Sequence, residues 1–173
     1  SAMSTMGVKC HILELFSHSA RLSEACLSMP DLLVAAPLDL TQPDTTQERV
    51  WEVLTVAAPR VVVIVPRQRP WRKKQPGEPK WQVTQRRRKA DDEVCLSVQV
   101  ARHQLQQRRC FAILHPCNSA FWEHPEIVSF WNQHVATSPK KVWWTMLDFD
   151  GEQYILLKNL PGPQYDCLLP EKR

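Results

Sequence analysis

Residues 61–65 read Val-Val-Val-Ile-Val, an unbroken β-branched run with Pro59 just before it and Pro66 just after it. Branched side chains favour the pleated backbone, so this run predicts one short buried strand with sharp ends. Residues 10–16 and 110–114 are similar apolar runs and predict two more. Between them lie segments with helical spacing. Leu22, Ala25 and Cys26 recur within residues 19–28, where Ser17 or Ser19 offers an N-cap and Pro30 a stop. Val50, Val53, Leu54 and Ala57 line one side of residues 44–57, with Thr41 or Asp44 near the start. Residues 91–107 carry Asp91, Asp92 and Glu93 at the positive end of a helix and Arg102, Arg108 and Arg109 toward its negative end. Residues 32–35, ended by Pro37, predict a further strand. Pro125 suits the first turn of a helix running to about residue 134. Residues 142–147 and 153–157 predict strands joined at Asp150-Gly151, a good hairpin turn. The alternation predicts an α/β fold: a mostly parallel sheet with helices on both faces and a C-terminal antiparallel hairpin.

A chain of 173 residues with 43% hydrophobic content suits one ordinary domain. Ser1-Ala2-Met3 reads as a scar of expression, so residues 1–6 are set apart, residues 7–160 form the expected domain, and residues 161–173 an irregular tail. No apolar run approaches the roughly 20 residues that cross a bilayer, and no basic-then-apolar leader is present. An intracellular protein without a membrane partner is expected. The six cysteines lie scattered in apolar stretches, where they act as small hydrophobes. Cys110, His115, Cys117 and His124 match no standard zinc spacing, and no metal is expected. Glycine is scarce at four residues against fourteen prolines, which counts against a backbone that wraps a cofactor closely.

The charge is unevenly spread. Arg67, Arg69, Arg72, Lys73, Lys74, Lys80, Arg86, Arg87, Arg88 and Lys89 face a single acid, Glu78, between residues 67 and 89. That segment carries +9 on a chain of net charge +4, leaving −5 for the remainder. Pro70, Pro76 and Pro79 argue against continuous helix or strand, so residues 67–90 read as an inserted basic loop. Trp71 and Trp81 stand among the charges, as in surfaces that stack unpaired bases. A nucleic acid, DNA or RNA, or another polyanion is the expected partner. An acidic protein would be served equally, and a merely solvated insertion is the plainer alternative.

Three segments carry a resemblance: Leu13-Glu14-Leu15-Phe16-Ser17-His18-Ser19-Ala20, Val61-Val62-Val63-Ile64-Val65-Pro66-Arg67-Gln68 and Phe111-Ala112-Ile113-Leu114-His115-Pro116. In order and context they resemble the S-adenosylmethionine-dependent methyltransferases, most of all the DNA cytosine-5 branch, and the methyltransferase-like modules of retroelement and viral polyproteins. The resemblance spans about residues 10–161 and implies a Rossmann-like sheet. It makes Phe16 and Ser17 the turn that meets the cofactor, and Asp39 the acid that meets its adenosine. Phe16 as a core aromatic and Asp39 as a cap or turn residue are the readings without a cofactor.

The same resemblance implies lost chemistry. His18 and Ala20 stand at the glycine positions, Arg67 where the nucleophilic cysteine would follow proline, and Leu114 in place of the acidic glutamate. An arginine cannot attack a pyrimidine ring. His115 carries a proton but projects opposite to Leu114 on an extended strand. A catalytically inactive domain is implied, with no catalytic residue and no cofactor, or S-adenosylmethionine if the pocket is retained. Its expected nucleic-acid contacts are Arg67, Arg69, Arg72, Lys73, Lys74, Arg86, Arg87, Arg88 and Lys89. The alternatives are an active methyltransferase acting on nucleic acid, and a protein-interaction or structural module of a larger polyprotein or assembly.

Overall fold

The computed structural model describes residues 10–16, 21–29, 31–39, 42, 45–136, 142–149 and 151–159. Five strands form one mixed sheet in the order β1-β2-β3-β5-β4. They are β1 (Ile12–Leu15), β2 (Val61–Ile64), β3 (Cys110–Pro116), β4 (Trp143–Phe149) and β5 (Glu152–Lys158). The first three are parallel to one another, while β5 pairs antiparallel with both β3 and β4. Two of the four pairings are therefore antiparallel, and the sheet is mixed rather than mostly parallel. The hairpin inserts its second strand next to β3 and leaves β4 on the edge.

Register explains the core. Leu13, Val62 and Phe111 stand side by side, as do Leu15, Ile64, Ile113 and Leu157. All seven are fully buried on one face of the sheet. Against them pack Val50 and Leu54 of α2 (Gln47–Ala57), Val94, Val98 and Ala101 of α4 (Asp91–Gln106), and Ile127 and Phe130 of α5 (Pro125–Trp131). Thr46 caps α2 by accepting the Arg49 amide, later than the Thr41 or Asp44 expected, both of which lie outside the described residues. The other face, where Glu14 projects, meets α1 (Arg21–Leu27). The buried Glu14 carboxylate accepts the Ser23 amide at 2.9 Å and the Ser23 hydroxyl at 2.7 Å, so a group costly to bury is satisfied by that helix.

The strand expected at residues 32–35 reduces to two isolated parallel bridges, Ile12 to Val34 and Leu15 to Leu38. Ala35 donates to the Ile12 carbonyl, and a parallel ladder needs its next donor two residues later. That residue is Pro37, which has no N–H, so Leu38 takes the Glu14 carbonyl and the register slips. The loop expected at residues 67–90 is folded too: Arg69–Trp71 makes a 3₁₀ turn and Lys80–Arg88 forms α3. Its prolines fall outside the helix, with Pro79 at the N-cap, and Arg86, Arg87 and Arg88 occupy the last turn, where cations suit the dipole.

Two amides fasten the amino ends of the parallel strands. Gln104 of α4 donates to the carbonyls of Pro59 and Cys110 at 3.2 and 2.9 Å. Asn159 accepts the Phe111 amide at 2.7 Å and donates to the Arg109 carbonyl at 2.9 Å. Among the described residues, no helix is long and apolar enough to cross a membrane.

Truncating the core contact of α2 tests this arrangement. Leu54→Ala should cost about 2–5 kcal/mol in chemical denaturation, whereas Val56→Ala, on the exposed side of the same helix, should stay within about 0.5 kcal/mol.

Candidate functional site

The chain leaves β1 on one side toward Val34 and Leu38, while β2 lies on its other side. Connections that part in opposite directions open a crevice at the carboxyl ends of such strands, the usual ligand position in open α/β sheets. A crevice of about 1020 Å³ lies there, floored by Phe16, Val65 and Pro66. A second cleft of about 760 Å³ opens at the end of β3 and shares Gln68, Arg69 and Arg72 with the first. The two form one trench across the sheet.

Phe16 ends β1 with φ at +67°, a conformation an aromatic residue adopts only when its surroundings impose it. Its amide donates to the Leu38 carbonyl at 2.7 Å and its ring is buried. Ser17, His18 and Ala20 lie outside the described residues. Asp39 follows the Leu38 bridge and is half-buried, but does not line either cleft.

Arg67 is locked from two directions. Its amide donates to Glu93 Oε1 and its Nε to Oε2, each at 2.7 Å. Glu93 sits in the first turn of α4 and is only 4% exposed. Arg72 and Arg86 clamp Glu78 at 2.9 and 2.6 Å. Arg86 also donates to the carbonyls of Pro70 and Arg72. Burial works against the Glu78 carboxylate, but the Gln75 amide and the two guanidiniums outweigh it and hold its pKa below the ordinary 4.5. Arg86 is pushed down by burial first and then by the neighbouring charges of Arg72 and Arg87. Three of the nine expected nucleic-acid contacts thus hold the segment together.

The others differ in setting. Arg69, Lys73, Lys74, Arg88 and Lys89 are exposed, as is Lys80, and Arg87 is half-buried. Among the described residues, no hydrogen bond or ion pair engages the side chains of Arg69, Lys73, Lys74, Lys80, Arg88 or Lys89. Helical spacing divides α3: Gln82, Arg86 and the adjoining Lys89 face the crevice, while Trp81 and Arg88 fall on another side. Trp81 is 64% exposed. Trp71 is not available for stacking, since it is buried and packs edge-on against Phe121 and His124. Its carbonyl accepts the Ser119 hydroxyl at 3.1 Å.

His115 lines the second cleft, fully buried, with its ring stacked on Phe121 at 4.4 Å. Burial pushes its pKa down to about 4. The carbonyls of Arg67 and Pro116 favour the charged form but complete no hydrogen bond, and neither ring nitrogen has a partner among the described residues. Leu114, half-buried, projects to the opposite face. Its place offers no proton, and His115 is neutral at pH 7. His124 is engaged by Asp91 at 2.8 Å, and among the described residues no group of three or more His, Cys, Asp or Glu is arranged to hold a metal. Cys10, Cys26, Cys95, Cys110 and Cys117 are free thiols.

Sequence reasoning missed Glu78 and Glu93. A signal existed for Glu78, the lone acid among ten bases, since an isolated carboxylate there attracts arginines from both sides. No family model matches this chain, and no curated protein matches it.

Two pH profiles test the site. Unfolded His115 titrates near 6.5, so between that pH and about 4 the unfolded chain binds more protons and stability rises with pH. His115→Phe keeps the stack on Phe121 and should remove this slope. Wild type should lose up to about 3 kcal/mol relative to the variant from pH 7 to pH 4. Glu78 has the opposite charge logic: its contribution is present above pH 4.5 and fades as pH falls through its lower folded value. Glu78→Gln should therefore lower the melting temperature at pH 7 and converge with wild type in stronger acid.

Proposed function

We propose that this chain is a Rossmann-like, methyltransferase-like domain without cytosine-5 chemistry, which binds single-stranded nucleic acid through the exposed cations of residues 69–89, beside its trench. The observation that carries the reading is the group of six exposed cations without partners among the described residues, joined by exposed Trp81. Phosphates are held by such cations and unpaired bases by an exposed indole. The parallel β1–β3 unit and the crevice at its carboxyl end support the Rossmann-like part.

Loss of the chemistry is supported at the nucleophile and acid positions. Arg67 stands where a nucleophile would be, with its Nε committed to Glu93. Leu114 supplies no acid, and buried His115 holds no proton at neutral pH. S-adenosylmethionine also fits the described residues poorly. Its sulfonium and ammonium give it a net positive charge, and it would enter a crevice lined by Arg67, Arg69, Arg72, Arg86 and Lys89 against Glu78 alone.

Fluorescence anisotropy with a labelled 20-nucleotide single strand tests the reading. Lys73→Ala/Lys74→Ala/Arg88→Ala should weaken binding and flatten the dependence of log K on log salt by about 2. Trp81→Ala should cost about 1–3 kcal/mol on the single strand and little on a duplex of the same sequence. Unchanged affinity in both variants would remove the reading.

A further inference from the structure

The larger crevice has dimensions and charge that the nucleic-acid surface alone does not explain. Its volume of about 1020 Å³ is large enough for a small-molecule ligand. Among the described residues, five cations line it and one carboxylate does. Glu78 is already shared by Arg72 and Arg86, and Arg67 is balanced by Glu93. Arg69 and Lys89 remain, on two elements that pack together: the 3₁₀ turn after β2 and the end of α3. Neither side chain has a partner among the described residues. Fixed guanidiniums behind free cations make a positive concavity that costs no rearrangement when an anion enters. Val65, Pro66 and Pro70 add an apolar wall.

We propose that this crevice binds a small polyphosphate ligand of the size of a nucleoside triphosphate, its phosphates held between Arg69 and Lys89. The site shares Arg69 and Lys89 with the nucleic-acid surface, while Lys73, Lys74, Trp81 and Arg88 do not line the crevice and so report on the nucleic acid alone. Charge also separates it from a sulfonium site: ligand affinity follows negative charge, and a cationic adenosine derivative is repelled.

Calorimetric titration of the whole chain at low salt with ATP, tripolyphosphate, adenosine and S-adenosylmethionine tests this. ATP and tripolyphosphate should bind, with adenosine and S-adenosylmethionine silent at the same concentrations. Arg69→Ala/Lys89→Ala removes two exposed cations and should weaken ATP about tenfold or more, whereas Lys73→Ala/Lys74→Ala/Arg88→Ala should leave ATP affinity within about twofold. Each of four results would overturn the site: no heat with ATP, adenosine or S-adenosylmethionine binding as well as ATP, ATP affinity unchanged in the crevice variant, or equal loss in both variants. Anisotropy with the single strand on the same proteins reads the nucleic-acid surface separately, so failure of one site is distinguishable from failure of the other.

Discussion

The grip of Glu93 on Arg67 is the interaction on which the trench depends. A buried carboxylate costs several kcal/mol unless it is fully partnered, and here a backbone amide and a guanidinium nitrogen of one residue both donate to it. The pair joins the residues just after β2 to the first turn of α4, 26 positions later. Everything between is a closed excursion whose two ends are fixed. The helix dipole adds to the grip, because Glu93 lies at the positive end of α4.

Within that excursion the charges separate by role. Arg72 and Arg86 spend their donors on Glu78 and on backbone carbonyls, tying α3 to the 3₁₀ turn and the residues after it. Such arginines are poor partners for a ligand and good supports for one. Arg69, Lys73, Lys74, Lys80, Arg88 and Lys89 face water with no internal counterion among the described residues. A run that reads as uniformly basic is thus a structural set and a solvent-facing set, distinguished by which side chains reach the two acids.

Much of the scaffold is legible in the sequence because it follows local periodicity. The β-branched run of β2, the acidic start of α4 and the turn before β5 each announce themselves within a few residues. The strand at Val34 does not, because Pro37 removes one ladder donor without changing the apolar pattern. Helix α3 is hidden by prolines that lie at its margin rather than inside it. Trp71 and Trp81 look alike in sequence, yet one is sealed by Phe121 and His124 from the turn after β3 while the other is exposed. That difference arises from contacts some fifty residues apart, which no local pattern carries. Buried His115 is similar: alternation gives its face, but its loss of charge comes from Phe121 covering it.

Gln104 and Asn159 bear on how such a domain ages. Both amides stitch the sheet at its amino ends, across from the trench. The fastenings and the crevice-lining side chains are therefore at opposite poles of the same strands. A scaffold divided in this way is free to exchange one chemistry for another, or to discard it, while its foundation stays put.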